Sequence, residues 1–271
     1  MPELPEVETI LRGIKPHIVN QTIKNVTVRH HGLRWPVPQN IQKDLKNKKI
    51  TAIHRRGKYL IFELNHEAVI LHLGMSGTLR ILTHYLPPKK HDHIDIVMAN
   101  GVILRFADPR RFGAFLFTKD KFTHHPLLKN LGPEPFDKVF TGKYLWSRAQ
   151  HRKVMIKSFI MDNKTVVGVG NIYAAEALFL AGINPKTPAN QISQERYDQL
   201  IKAIKFILRQ AIKRGGTTLK DFVNSEGKPG YFANQLNVYG RAGLPCIKCH
   251  ALLTSTQIGQ RSTVYCEKCQ S

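Results

Sequence analysis

Two places in this sequence carry residues that could do chemistry, and they lie at opposite ends of the chain. At the front, Pro2 follows an initiator methionine. Methionine is usually clipped before so small a neighbour, and its removal leaves Pro2 as a free secondary amine. An α-amine titrates at about 7.7–8.0, against about 10.4 for lysine, so a useful fraction is unprotonated at neutral pH. A secondary amine attacking a sugar aldehyde carbon gives a permanently cationic iminium, the electron sink that a lyase needs. Glu3 and Glu6 stand three apart beside that amine. Taken alone, these residues also fit an ordinary helix start, where proline and acidic side chains are favoured.

At the back, Cys246, Cys249, Cys266 and Cys269 are the chain's four cysteines, spaced C-x2-C-x16-C-x2-C. Two knuckles at that spacing supply four thiolates to one tetrahedral zinc ion. The competing arrangement, two disulfides, belongs to secreted chains. Met1-Pro2-Glu3-Leu4-Pro5-Glu6 lacks the basic and apolar regions of a secretion signal, so one structural zinc ion is expected. His250 adjoins Cys249, but four thiolates already close the shell. Such a closed site folds its segment and does no chemistry.

Charge narrows the partners. Lys and Arg number 41 against 19 Asp and Glu, a formal net charge of +22. A surface that basic seeks a polyanion, either nucleic acid or an acidic membrane face. No window approaches the roughly 18 apolar residues of a membrane span, and no basic amphipathic helix with aromatics suggests a membrane surface. A soluble, cytoplasmic, monomeric protein is expected. No acid falls between Glu8 and Asp44, and Asp162 is the only acid between Asp137 and Glu176. Basic residues populate both stretches, which reads as a basic cleft between two domains rather than as a merely solvated face.

The elements that must position these groups fall into distinct stretches. Leu4, Val7, Ile10 or Leu11, and Ile14 recur at spacings of three and four, predicting an amphipathic helix almost at the terminus. From about 22 to 118 the chain is strand-rich. Runs at 23–28, 58–64, 68–73, 78–82, 94–98, 102–106 and 112–118 predict an antiparallel sandwich or barrel. Asn100-Gly101 marks a hairpin between two of them. Leu131-Gly132-Pro133-Glu134-Pro135 reads as a linker. Beyond it the period turns helical, with Tyr197, Leu200, Ile201, Ile204, Leu208, Ala211 and Ile212 on one face, stopped by Gly215-Gly216. Residues 216–235 read as a long loop.

Several short motifs occur in a fixed order. They are Met1 to Thr9, Arg55-Arg56-Gly57-Lys58-Tyr59-Leu60, Leu73-Gly74-Met75-Ser76-Gly77, Lys90-His91-Asp92-His93, Asp108-Pro109-Arg110-Arg111-Phe112-Gly113, Gly168-Val169-Gly170-Asn171-Ile172-Tyr173 and the four-cysteine finger. Together, from Pro2 to Cys269, they closely resemble the bacterial formamidopyrimidine-DNA glycosylases, which remove 8-oxoguanine and ring-opened purines from DNA. Each motif is weak by itself; the ordered set is specific.

The resemblance implies roles. Pro2 would attack C1′ of the damaged nucleotide, Glu3 would be the acid of the glycosylase step, and Glu6 would orient the site. Lys58 matches the family's proton donor in β-elimination, and its ammonium would also grip a phosphate. Arg261, in Gln260-Arg261-Ser262-Thr263 between the knuckles, matches the donor for δ-elimination. Arginine's high pKa favours phosphate clamping over proton transfer there. Met75, Arg110 and Phe112 match the trio that fills the space left by a flipped base. Arg110 would face the orphaned cytosine. Asn171, Lys157, Arg152, His91 and Tyr239 match phosphate contacts, and Thr217 and Thr218 fall in the loop expected to close over the everted base.

The reading is therefore α+β: an N-terminal helix plus antiparallel β-sandwich over 1–131, a helical domain with a helix–two-turns–helix motif over 132–235, and a four-cysteine zinc-finger hairpin over 236–271. The expected activity is a bifunctional DNA glycosylase and abasic-site lyase acting on duplex DNA with an oxidised purine opposite cytosine. Two alternatives stand beside it. One is an endonuclease VIII-like enzyme for oxidised pyrimidines, disfavoured by Leu4-Pro5 and the 108–113 motif; the other is a non-catalytic zinc-finger DNA-binding protein, disfavoured by the intact Pro2, Glu3 and Lys58.

Overall fold

A computed structural model describes residues 2–216 and 236–271 of the 271-residue chain. The chain divides into two compact units. The first runs to Asn130 and takes up the chain again at Arg214; the second begins at Leu131, ends its first segment at Lys213, and includes the C-terminal residues.

The first unit opens with α1 (Leu4–Ile18), whose Leu4, Val7, Ile10, Leu11, Ile14 and Ile18 are buried along one stripe. Pro5 stands in the first turn, where a missing N–H costs nothing, and Lys15 and His17 stand near the C-terminal end, where positive charge suits the helix dipole. The strands β1 (Ile23–Val28), β6 (Asp92–Met98), β7 (Ile103–Ala107) and β5 (Thr78–Leu82) form one antiparallel sheet in the order β1-β6-β7-β5. A second sheet, β2-β3-β4-β8, joins β2 (Ala52–Arg56), β3 (Tyr59–Leu64), β4 (Glu67–His72) and β8 (Ala114–Thr118). Apolar residues of both sheets, among them Phe62, Leu71, Ile94, Leu104, Phe106 and Phe115, share one core with the α1 stripe. This is the antiparallel sandwich that the strand pattern predicts, with alternating side chains of each sheet turned inward.

Asn100 and Gly101 turn the chain between β6 and β7, Gly101 with φ of 86°. Two features differ from the sequence reading. Strand β2 and the short helix α2 (Ile41–Leu45) were not anticipated, because their polar residues dilute the apolar period. The strand expected at 112–118 begins only at Ala114, since Arg110 to Gly113 belong to a loop. Within the first sheet the buried Arg105 guanidinium donates to both carboxylate oxygens of Asp95, at 2.7 and 2.8 Å. A fork-on-fork pair of this kind fixes register between neighbouring strands.

The second unit is helical: α3 (Gly142–Ala149), α4 (Ile156–Met161), α5 (Asn171–Leu180) and α6 (Gln194–Lys213). Thr141 caps α3 by accepting from the Tyr144 N–H at 3.2 Å. Helix α6 buries the apolar face read from its period, and α5 is buried along nearly its whole length. A hairpin of β9 (Thr254–Ile258) and β10 (Arg261–Tyr265) packs its Val264 with Ala175 and Phe179 of α5. Gly259 and Gln260 make the two-residue turn with φ of 52° and 60°, the positive values a tight hairpin requires. Among the described residues, no helix is long and apolar enough to cross a membrane.

Candidate active site and metal centre

Pro2 and Glu3 lie at the mouth of α1, and Pro2, Glu3 and Glu6 are all buried. Glu6 reaches back one turn, and its Oε2 accepts from the Glu3 N–H at 2.8 Å. That bond ties the backbone at Glu3 to the helix and so fixes where the preceding Pro2 stands. A Cβ placed on Gly216 would come within 2.8 Å of Glu6 Oε1, and Gly216 has φ of +82°. Only glycine suits a chain passing so close in that conformation.

Glu8 ties α1 to the neighbouring hairpin. Its carboxylate accepts from Arg12 and from Arg55, each at 2.9 Å. Burial works against its charge, but the hydrogen bonds and charges of Arg55 and Arg12 outweigh it and hold the carboxyl below its ordinary pKa. Arg55 belongs to β2, and the next turn, Gly57–Lys58, carries Lys58 between β2 and β3. The helix that presents Pro2 is thereby tied to the strand that leads to Lys58.

His72 was missed in the sequence. It ends β4 opposite Tyr59, with ring centroids 4.8 Å apart, and its Nδ1 accepts from the Gly74 N–H at 3.0 Å. That bond assigns the ring proton to Nε2. Burial first, then the positive charges of Lys58 and Arg34, press its pKa down to about 4. The available signal was a single histidine closing the apolar run Ala68–Leu71, directly before the Leu73-Gly74-Met75 turn.

Met75, Arg110 and Phe112 all stand on loops. Phe112 is 43% exposed, which no core phenylalanine would be, and the Arg110 guanidinium lies over its ring at 5.0 Å. The two loops touch through backbone: a Cβ on Gly74 would come within 2.4 Å of the Phe112 carbonyl carbon. His91 lines a cavity of about 490 Å³ with Arg29, His30, Lys90, His93 and Arg111. Those side chains make it a concave basic surface on the first unit.

In the second unit Lys157 is fully buried, yet its ammonium donates to Asn171 Oδ1 and Thr263 Oγ1, each at 2.6 Å, and to the Ser262 carbonyl at 3.3 Å. Asn171 opens α5 and donates its own amide to the Ser262 carbonyl at 3.2 Å. Arg261 precedes Ser262 at the start of β10 and is exposed, as is Arg152. Tyr239 is held through its backbone: Glu176, buried in α5, accepts from the N–H groups of Asn237, Val238 and Tyr239 at 2.8–2.9 Å and from the Asn237 amide at 2.8 Å. Thr217 and Thr218 lie outside the described residues.

The four cysteine sulfurs lie within 4.8 Å of one another, with Cys246–Cys269 at 3.9 Å and Cys249–Cys266 at 3.5 Å. Sulfurs bound at about 2.3 Å around a tetrahedral zinc ion stand about 3.8 Å apart, whereas a disulfide requires about 2.0 Å. The donor set fits one zinc ion. Four thiolates so close repel one another without a cation between them. Without a cation, hydrogen bonding to Cys249, then burial, pushes the Cys269 thiol up to about 12. The metal closes a shell with no open position, so its chemistry is structural.

Comparison with known proteins agrees with this arrangement along the whole chain. Residues 1–115 match the formamidopyrimidine-DNA glycosylase N-terminal domain, residues 131–223 its H2TH domain, and residues 243–271 a zinc finger found in FPG and IleRS. The formamidopyrimidine-DNA glycosylases of Alcanivorax borkumensis and Escherichia coli are 56% and 53% identical, each over 270 residues, covering 100% of this chain and of the relative. Among solved structures, a Lactococcus lactis Fpg variant in complex with Fapy-dG-containing DNA superposes with a TM-score of 0.92 at 35% identity, covering 100% of both chains. The Thermus thermophilus Fpg protein gives 0.89 at 34% identity, covering 99% of this chain and 98% of that one.

Proposed function

The chain belongs to the formamidopyrimidine-DNA glycosylase family, and from that premise we propose how its residues divide the work. It is a DNA glycosylase of oxidised-base repair with one structural zinc ion. Its substrate on this reading is duplex DNA bearing 8-oxoguanine or a formamidopyrimidine opposite cytosine, met in the cytoplasm by a monomer. Residues 1–131 carry the chemistry, 132–235 and 236–271 the grip on DNA.

The Pro2 nitrogen attacks C1′ and the bond from C1′ to the damaged base breaks, the amine's proton passing to the departing base. Glu3 then gives a proton to the sugar ring oxygen as the C1′–O bond opens, leaving an iminium between Pro2 and C1′. That cation acidifies the C2′ proton; its removal expels the 3′ phosphate, and loss of the C4′ proton expels the 5′ phosphate. Glu6 holds the Glu3 backbone throughout. Lys58 serves β-elimination and the phosphate beside the lesion, and Arg261 clamps a phosphate in the second elimination. Met75, Arg110 and Phe112 fill the vacated stack, and His91, Arg152, Asn171 and Tyr239 hold the backbone, with the buried Lys157 serving that contact through Asn171, to which its ammonium donates. Thr217 and Thr218 belong to the segment that covers the everted base.

The observation that carries this reading is the buried pairing of Pro2 and Glu3 on a turn locked by Glu6. Glu3→Gln separates its steps. The variant loses base excision by two orders of magnitude or more while still cleaving preformed abasic sites. Excision at the wild-type rate would remove Glu3 from the acid role.

A further inference from the structure

We propose that Ser76 is a positioning residue that sets the aim of Arg110, and through it how strictly the enzyme demands cytosine opposite the lesion. The proposal rests on reading Arg110 as the group that faces the opposite base.

Ser76 is 6% exposed and Asp108 fully buried, and the Ser76 hydroxyl donates to Asp108 Oδ1 at 2.9 Å. Ser76 Oγ in turn accepts from the Arg110 N–H at 3.1 Å. A hydroxyl has one proton and two lone pairs. With the proton committed to the carboxylate, a lone pair is directed at Arg110, so one buried atom joins two loops 34 residues apart in sequence.

The loop that carries Arg110 needs such an anchor. Arg111 has φ of 59°, a left-handed conformation that a non-glycine residue holds only under outside constraint. The constraint converges on Asp108. Its carbonyl accepts from the Arg111 N–H at 3.2 Å and meets His93 Nε2 at 2.8 Å; its Oδ2 accepts from the Gly113 N–H at 2.8 Å. These bonds hold the loop on either side of Arg110. Ser76 holds the backbone at Arg110 itself, and it sits next to Met75, so the hydroxyl sets two of the three void-filling side chains relative to each other.

Removing it frees the Arg110 N–H and lets the guanidinium sample orientations that suit other bases. Since a net hydrogen bond of this type changes an equilibrium by about five-fold, that is the loss of discrimination expected. The test compares single-turnover excision of 8-oxoguanine opposite cytosine and opposite adenine in the wild type, Ser76→Ala, Arg110→Ala and the double variant. Melting temperature and zinc content are followed in the same samples. The cytosine-to-adenine rate ratio falls about five-fold in Ser76→Ala, falls further in Arg110→Ala, and is the same in the double variant as in Arg110→Ala. A loss of rate equal for both opposite bases is what a purely structural role gives, and it overturns the proposal, as do additive effects in the double variant. An unchanged ratio in Arg110→Ala removes the reading of Arg110 itself, and the proposal with it.

Discussion

The Lys157 ammonium and the Asn171 side chain hydrogen-bond to each other at 2.6 Å, and both reach the Ser262 carbonyl, at 3.3 and 3.2 Å. A cation from α4 thereby fixes the first residue of α5 and the edge of the hairpin that presents Arg261. Burying an ammonium against amide, hydroxyl and carbonyl oxygens is costly in a protein alone. The hydrogen bonds to Asn171, Thr263 and Ser262 offset part of that cost.

Replacing Lys157 by methionine keeps the volume and deletes the charge. It leaves Asn171 Oδ1 and Thr263 Oγ1 short of a donor, which destabilises the second unit by roughly 3 kcal/mol. Urea unfolding measures that loss, and fluorescence anisotropy shows DNA affinity falling with it. Full DNA affinity in the methionine variant would show that the three-residue knot has no part in binding.

Zinc removal acts on the same hairpin from the other side. Stripping the metal with a strong chelator releases one zinc ion per chain, unfolds the segment around Cys246 to Cys269, and abolishes DNA binding. A colorimetric zinc assay and binding titrations on the same sample check both events. Unchanged affinity after verified zinc loss would contradict the structural role.

His72 gives the first unit a pH dependence with a definite sign. Its folded-state pKa lies at about 4, against about 6.5 when unfolded, so folding favours the neutral ring. The stabilisation is fully present above about 6.5 and is lost as pH falls from there toward 4, a change of about 3 kcal/mol at most. Urea midpoints measured across that window fall in the wild type and fall less in His72→Gln. Parallel curves would place the titration elsewhere.

Much of this was legible in the sequence, for reasons tied to particular residues. The Cys246 to Cys269 spacing states a tetrahedron because nothing but short knuckles lies within each pair. The α1 stripe and the Asn100-Gly101 turn are local signals, readable from neighbours three or four residues away. Ser76 was not legible, and His72 showed only its place at the end of an apolar run, not its role. Their meaning comes from contacts at Tyr59, Asp108 and Arg110, distant in sequence and brought together only by strand pairing. Lys157 reads in the sequence as a phosphate contact, and its burial against Thr263 was not legible there, since it follows from the packing of α5 on the zinc hairpin.

The central claim is that the amine of Pro2 becomes covalently joined to the sugar. Borohydride reduction during turnover on duplex DNA with 8-oxoguanine opposite cytosine, followed by peptide mapping and N-terminal sequencing, tests it directly. The account predicts a stable protein–DNA adduct on Pro2 in chains that have lost Met1. An adduct on Lys58 or another lysine, or no adduct from protein whose N-terminus is Pro2, would contradict it.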